Sequence, residues 1–133
     1  AGLITLLKGE DIMQKKKVFK TIATHMLTQK RPSQNRNHCL YRDGYGLSCA
    51  IGVLINDDNY RKELESHDIT NTEVSTAVSN SLNSPPLNTK ERSFLGALQD
   101  IHDYSEPQYW RGELNTFSMK HFKKDLEDIG VSV

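Results

Sequence analysis

Residues 38–60, HCLYRDGYGLSCAIGVLINDDNY, hold both cysteines of the chain and a turn rich in glycine. The segments CLYR and LSCA flank Asp43-Gly44-Tyr45-Gly46, which is typical of a tight turn because glycine readily takes a positive φ. We therefore expect a short β-hairpin near residues 39–50. The next segment, CAIGVLI at 49–55, fits a buried strand or a short buried helix, since periodicity cannot separate them at this length. The helical pattern that follows it favours the helix.

This stretch is predicted to be the structural centre of the domain. Its apolar side chains and both thiols are expected to pack beneath the helices, with Arg42 held by a carboxylate such as Asp57. The alternative places Tyr41, Arg42 and Tyr45 in an exposed patch that stacks on bases and contacts phosphate. The apolar residues expected in the core are Leu47, Ile51, Leu54 and Ile55.

An amphipathic helix is predicted on the N-terminal side of this centre. In KKKVFKTIATHMLTQK, residues 15–30, apolar side chains recur at spacings of three and four, which places them on one face of a helix. Pro32 is expected to end the helix, and the polar composition of residues 31–37 predicts a loop. The apolar face consists of Val18, Phe19, Ile22, Ala23, Met26 and Leu27.

Further helices are predicted on the C-terminal side from capping signals. Asp57 is placed to cap a segment that runs through Tyr60 and Leu64. Three later segments begin with a capping residue that is followed three positions later by Glu or Gln. Ser84-Pro85-Pro86 separates the first two of them, and Gly130 is expected to end the last helix. The capping pairs are Thr70 with Glu73, Asn88 with Glu91, and Ser105 with Gln108.

The expected fold is mainly α, a single compact domain of about five helices with one short β-hairpin. No internal repeat and no second domain is indicated. The domain is assigned to residues 13–133. Residues 1–12 are interpreted as a non-native or disordered extension, because Lys8-Gly9-Glu10 can be encoded by a purine-rich ribosome-binding sequence upstream of Met13.

Composition places the protein among soluble globular domains. The chain has 133 residues, of which 36% are hydrophobic and 26% charged, so a core of modest size can form without metal or disulfide. No apolar run reaches the length of a membrane span, and the start lacks the charged and apolar regions of a signal peptide. Two cysteines do not make a disulfide framework. We expect a cytoplasmic protein with reduced thiols.

The formal net charge of zero conceals a division along the chain. Residues 12–42 carry eight basic residues and no acidic one, whereas residues 43–133 carry eight basic and fifteen acidic residues. The first third therefore suits nucleic acid or an acidic protein surface, and the acidic body suits a basic partner. The alternative is a solvated helix face that acids of the same domain balance. The residues predicted to bind are Lys15, Lys16, Lys17, Lys20, Arg31, Arg36, Arg42 and Tyr45.

Cys39 and Cys49 are candidates for chemistry, and core packing is the preferred interpretation. Their spacing and the flanking His38 do not form a standard zinc pattern, and a metal site would have to recruit His102 or His67. Free cysteine is often a small buried apolar residue. No metal and no cofactor is expected, and neither a phosphate-binding loop nor a dinucleotide fingerprint is present.

A thiol-dependent hydrolase is the sharper alternative. If Cys49 opens a helix, the backbone N–H groups there favour the thiolate. His102 is then the base and Asp103 its orienting partner. A half-buried histidine satisfied by a neighbour is the commoner outcome for such a pattern, so no catalytic residue is favoured.

Several spaced elements resemble a family of short, mostly uncharacterised phage and bacterial proteins. The similarity runs from about Phe19 to Phe122, and its most specific part is Cys-x-Tyr-Arg followed by Cys-Ala-x-Gly. The chain departs from the family pattern at Asn56, where proline is usual, and at Ser66, where glycine is usual. The matching positions are Cys39, Tyr41, Arg42, Cys49, Ala50, Gly52, Leu54, Ile55, Asp57, Tyr60, Leu98, Gln99, His102, Asp103 and Trp110.

The resemblance implies a phage or prophage origin and brings no known activity. Small cytoplasmic proteins of that setting often bind and redirect host machinery. The first hypothesis is therefore a non-enzymatic protein that binds a host macromolecule, most often a host protein, and inhibits or modulates host machinery or defence inside the bacterial cell. The thiol hydrolase is the second hypothesis, and a nucleic-acid-binding protein that uses residues 15–36 is the third. No membrane partner is expected.

Overall fold

The computed structural model describes residues 2–35 and 38–133, with side chains described for residues 15–35 and 39–133. Helices make up most of the described chain, so the prediction of a mainly α single domain is confirmed. The interpretation of residues 1–12 as an extension stays a prediction. The α-helices are α1 (Gly2–Gln29), α2 (Thr72–Ser81), α3 (Thr89–Tyr104), α4 (Trp110–Phe122) and α5 (Leu126–Ile129), and three-residue 3-10 turns lie at Gly52–Leu54, Lys62–Leu64 and Pro107–Tyr109.

The apolar face of α1 is buried as predicted. Its side chains pack against α4 and against the 3-10 turn at Gly52–Leu54. The helix ends at Gln29, and Lys30 follows it in the left-handed region with φ 61°. Pro32 comes two residues later, where its fixed φ and missing N–H prevent the helix from continuing.

The segment 49–55 forms a tight helical turn at the centre of the fold, as the sequence favoured. The N–H groups of Leu54 and Ile55 donate to the carbonyl oxygens of Ile51 and Gly52, at 2.9 and 3.1 Å. Gly52 lies so close to Tyr41 that a Cβ atom there would be 2.1 Å from the Tyr41 carbonyl oxygen. Only glycine fits this crossing of two backbone segments.

Strand pairing among the described residues is limited to short pieces. β1 (Gln34–Asn35) and β2 (His38–Cys39) pair antiparallel. Within the hairpin expected at 39–50, the ladder is a single bridge between Arg42 and Ser48. The residues between Arg42 and Ser48 form a compact loop, so too few residues remain for a regular ladder of strand pairs.

Aromatic side chains close the core between α1, α3 and α4. Phe19 stacks on Phe117 with ring centroids 5.5 Å apart, and Phe94 lies 5.2 Å from Phe117. Trp110 of α4 is fully buried. Burial of side chains of this size stabilises the fold by roughly 1.5–3 kcal/mol each. Leu47, which was expected in the core, is only half-buried.

Two predicted helix ends are confirmed. Asn88 and Glu91 form the expected capping box at the start of α3, each side chain accepting a hydrogen bond from the other residue's N–H. Gly130 follows α5 with φ 99°, a conformation that favours glycine. These ends fix the lengths of the helices that carry the C-terminal half of the core.

The caps predicted at Thr70, Ser105 and Asp57 are wrong. α2 is capped by Asn71, whose side chain accepts hydrogen bonds from two backbone N–H groups of the first turn. Ser105 lies at the C-terminal end of α3 and makes no cap for the next turn. Asp57 forms an ion pair instead, and the 3-10 turn begins at Lys62.

Candidate functional site

A partly buried polar centre forms where the end of β2 meets the last turns of α3. Gln99, His102 and Asp103 lie three and four residues apart on α3, so their side chains share one face of the helix. Cys39 meets this face from β2, sixty residues away in sequence from Gln99. The structure therefore joins elements that lie far apart in the sequence.

Both ring nitrogens of His102 are engaged. Nδ1–H donates to Asp103 Oδ1 at 2.8 Å, and Nε2 accepts the N–H of Ser33 at 3.1 Å. The ring is buried and stacks on Trp110, with centroids 5.4 Å apart. Burial lowers the pKa of His102, but the hydrogen bonds with Asp103 and Cys39 raise it more, so the net shift is upward. A proton added at Nε2 would have to break the Ser33 bond.

Gln99 links the parts of the centre, a role that the sequence analysis missed. Its amide nitrogen donates to Cys39 Sγ at 2.9 Å and to Asp103 Oδ1 at 2.8 Å. Its amide oxygen accepts the N–H of Ile51 at 2.9 Å. One side chain thus holds β2, the central 3-10 turn and α3 together.

The Cys39 thiol lies in surroundings that disfavour the thiolate, and the Cys49 thiol is packed in the core. The hydrogen bond with the Cys49 thiol, and then burial, raise the pKa of Cys39 well above its usual range. Cys49 is fully buried, and its Sγ accepts the N–H of Gly52 at 3.3 Å. Both thiols are free. They pack and accept hydrogen bonds, which is the interpretation that the sequence favoured.

The thiol alternative named Cys49 together with His102 and Asp103, whereas the structure groups Cys39 with these two residues. A catalytic base must turn a ring nitrogen with a free lone pair toward the thiol. The Nδ1 proton of His102 is directed at Asp103, and Nε2 is occupied by Ser33. The described arrangement therefore supports packing better than nucleophilic catalysis.

A metal ion would need the same side-chain atoms. Ligand atoms of Cys39, His102 and Asp103 lie within 4.8 Å of one another; the sequence analysis named His102 for such a site but not Asp103. The Gln99 amide nitrogen already donates to two of the three, at 2.8 and 2.9 Å. Among the described side chains, every buried polar atom has a partner. The atoms that could bind a metal ion therefore already have hydrogen-bond partners within the protein.

Arg42 is engaged within its own domain. Its guanidinium forms an ion pair with Asp57 at 2.8 Å, donates to the Ile55 carbonyl oxygen at 3.0 Å and lies 4.4 Å from the Tyr60 ring centroid. The predicted pairing with Asp57 is confirmed. Arg42, which was also predicted to bind a partner, is positioned to stabilise the central loop.

Glu65 also holds the central loop in place, and the sequence analysis did not single it out. Its carboxylate accepts the consecutive N–H groups of Tyr41 and Arg42, at 2.8 and 3.1 Å, and the Tyr60 hydroxyl at 2.8 Å. Tyr41 is buried, and its hydroxyl donates to the His67 carbonyl oxygen. Tyr41 therefore faces inward.

A strip of basic residues crosses the exposed side of α1. One shallow groove is lined by side chains of α1 and α5, and a second continues along α1 to the loop at 43–47; Lys20 and Thr21 line both. We call the basic residues of these grooves the basic strip. It consists of Lys16, Lys17, Lys20, Arg31 and Lys124.

No ion pair involves the basic strip within the part of the chain that the structure describes. One carboxylate, Asp128, lines the groove beside Lys124. The positive charge is therefore only partly balanced by acids of the same domain. Lys124 was missed from the sequence because it lies far from the basic first third.

Lys15, which was predicted to bind, does not line the grooves of the basic strip. Lys15 lies on another side of α1, with its Nζ 6.0 Å from the Phe94 ring centroid, beside an apolar pocket. Arg36 lies outside the described residues. Compared with the prediction from the sequence, the basic strip lacks Lys15 and includes Lys124.

Tyr45, the last predicted binding residue, is on the surface. It occupies the tip of the loop at 43–47, and 92% of its area is exposed. Gly46 and Leu47 of the same loop line the groove that contains Arg31. The structure therefore places Tyr45 on the loop that borders one end of the basic strip.

Comparison of the chain with protein-family models, with curated proteins and with solved structures gives no match. The resemblance to phage proteins stays a prediction. Within the described residues, no helix combines the length and hydrophobicity needed to cross a membrane.

Proposed function

We propose that the protein is a non-enzymatic nucleic-acid-binding protein that holds a phosphate backbone along the basic strip. The observation that carries the proposal is the gathering of four lysines and Arg31 along two adjoining grooves, without an ion pair among the described residues. Unpaired lysines and arginines that follow one line are the usual electrostatic footprint of a phosphate backbone.

The dimensions of the strip fit a backbone. From Lys16 to its end at Gln29, α1 rises about 20 Å at about 1.5 Å per residue. One strand of a duplex advances about 3.4 Å per phosphate, so this length matches about six phosphates. Thr24 and Thr28 line the groove between the basic ends, and hydroxyl groups are common donors to phosphate oxygens.

The binding of a labelled oligonucleotide of about 20 nucleotides, measured by fluorescence anisotropy, tests the proposal. Reversing two charges, Lys17→Glu with Lys20→Glu, is expected to weaken binding at least about tenfold, because phosphate contacts become repulsions. The matched control is Lys62→Glu with Lys90→Glu, two exposed lysines outside the strip. The control is expected to bind within about twofold of the wild type. Equal losses in both variants, or no binding by the wild type, would contradict the proposal.

A host protein is a second candidate ligand, favoured by exposed aromatic surface at and just beyond the C-terminal end of α3. Tyr104 and Tyr109 expose 84% and 59% of their area, and Glu106 lies between them in sequence. Exposed tyrosines are enriched in protein interfaces. In a bacterial lysate treated with nuclease, a captured host protein lost from the double variant Tyr104→Ala with Tyr109→Ala would support this candidate.

A further inference from the structure

The loop that carries Tyr45 is held in one shape by its own hydrogen bonds. The Asp43 carboxylate accepts the N–H groups of Tyr45 at 2.7 Å and of Leu47 at 3.0 Å. The Asp43 N–H donates to the Leu47 carbonyl oxygen at 3.1 Å. Gly44 and Gly46, on either side of Tyr45, have φ of 84° and 96°, which glycine adopts without strain. The tyrosine is therefore displayed at a defined position.

The base of the loop is tied to α1. Gln29 accepts the Ser48 N–H at 3.0 Å and donates to the Ser48 carbonyl oxygen at 2.9 Å. His25 Nε2 bonds to the same carbonyl oxygen at 2.8 Å. Since Arg31 lies two residues after Gln29 and both line the same groove, these bonds fix the loop that carries Tyr45 relative to the basic strip.

The exposure of Tyr45 has no packing explanation among the described residues. Tyr41 and Tyr60, which lie in the same stretch, are both covered at least in part and hydrogen-bonded through their hydroxyl groups. A ring on a loop whose backbone is already fixed loses less conformational freedom on binding than a ring on a mobile loop, because the backbone is already ordered. Such a ring at the end of a phosphate-binding groove is placed to stack on a base.

We infer that Tyr45 stacks on an unpaired base and makes the protein selective for single-stranded nucleic acid. The inference rests on the proposed function, because the strand that supplies the base lies along the basic strip. In a duplex each base is already stacked and paired, so its face is not available to Tyr45. A single strand offers phosphate to Arg31 and the neighbouring base to the ring at the same time. Stacking tolerates every base, so little sequence preference is expected.

Anisotropy titrations with matched single-stranded and duplex oligonucleotides of about 20 nucleotides test the inference. The wild type is expected to bind the single strand at least about tenfold more tightly than the duplex. Tyr45→Ala should weaken single-strand binding about tenfold and leave duplex binding within about twofold, whereas Tyr45→Phe should retain wild-type binding. Tyr104→Ala is the control for loss of an exposed tyrosine elsewhere. A 2-aminopurine base in the strand should be quenched by the wild type, by Tyr45→Phe and by the Tyr104→Ala control, and not by Tyr45→Ala.

The outcomes separate this inference from the proposed function. If Tyr45→Ala binds the single strand like the wild type while the reversal of Lys17 and Lys20 abolishes binding, the inference is overturned and the proposed function stands. If the wild type binds neither form of nucleic acid, both are overturned. If polyglutamate competes as well as an oligonucleotide of equal charge, the strip recognises charge alone and the stacking inference is overturned.

Discussion

Gly52 is the residue that permits two backbone segments to cross at the centre of the fold. A Cβ atom at this position would lie 2.1 Å from the Tyr41 carbonyl oxygen and 2.8 Å from its carbon. Because backbone cannot yield as a flexible side chain can, we expect Gly52→Ala to lower the free energy of unfolding by about 3 kcal/mol or more. Urea denaturation measures this loss.

The matched control is Gly112→Ala on α4, where a Cβ atom would meet nothing within 4 Å. This variant should be more stable by about 0.5–1 kcal/mol, because alanine favours the helix. Equal effects of the two substitutions would show that the close crossing at Gly52 does not constrain the fold.

Ser66 has φ 72°, the left-handed region that favours glycine. Its side chain is exposed, so strain of the backbone decides the effect of a substitution. Ser66→Gly is expected to raise the free energy of unfolding by about 0.5–1 kcal/mol, whereas Ser66→Ala should give no gain. Urea midpoints of the two variants check this, and a gain from alanine equal to that from glycine would contradict it.

His25 should make stability depend on pH. Burial lowers the pKa of His25 from its ordinary value of 6.5, although the hydrogen bond to Ser48 opposes this shift. The unfolded chain then binds more protons than the folded chain. The contribution of His25 to the free energy of unfolding is therefore complete above pH 6.5 and is lost as the pH falls through the lower pKa of the folded state. Urea denaturation at about pH 7.5 and about pH 5.5 should show a smaller loss on acidification for His25→Gln than for the wild type. Equal losses would contradict the assignment.

Residue by residue, the sequence predicted contacts within the stretch 38–60. The pairing of Arg42 with Asp57 and the inward orientation of Tyr41 were anticipated. The roles of Glu65 and Gln99 were not, because their partners lie 24 and 60 residues away and nothing in the local pattern marks them. Long-range hydrogen bonds of this kind follow from the fold as a whole.

At the scale of elements, the start of α2 offers a direct test of which residue caps a helix. The sequence suggested Thr70, but the Asn71 side chain accepts the N–H groups of Glu73 and Val74, at 3.0 and 3.1 Å. Asn71→Ala should lower the free energy of unfolding by about 1 kcal/mol. Asn80→Ala, at an exposed position inside the same helix, should be neutral or slightly stabilising. A cost at Asn80 as large as that at Asn71 would contradict the cap.

Periodicity predicted the elements better than their ends. The apolar stripe of α1 and the capping box of α3 gave correct helices. The hairpin expected at 39–50 is reduced to one bridge, since the loop uses glycine conformations and the Asp43 side chain for its bonds. Composition predicted the turn, but it could not predict how few ladder pairs would flank it.

At the scale of the whole molecule, the basic strip combines residues from both ends of the chain. Charge counting along the sequence predicted the basic first helix, yet it included Lys15, which turns toward Phe94, and omitted Lys124, which completes the groove. Which lysines share a surface depends on helix rotation and on how α5 docks. Those are properties of the packed core, which sequence charge does not report.

The salt dependence of oligonucleotide binding tests the role of the basic strip most directly. Phosphate contacts release counterions, so the logarithm of the association constant should fall with the logarithm of salt concentration by about 0.7 for each phosphate neutralised on a single strand. Neutralising Lys17 and Lys20 to glutamine should make this slope shallower by about 1.4, whereas Lys62→Gln with Lys90→Gln should leave it unchanged. Affinity that does not respond to salt, or equal slopes for both pairs of variants, would contradict phosphate binding along the strip.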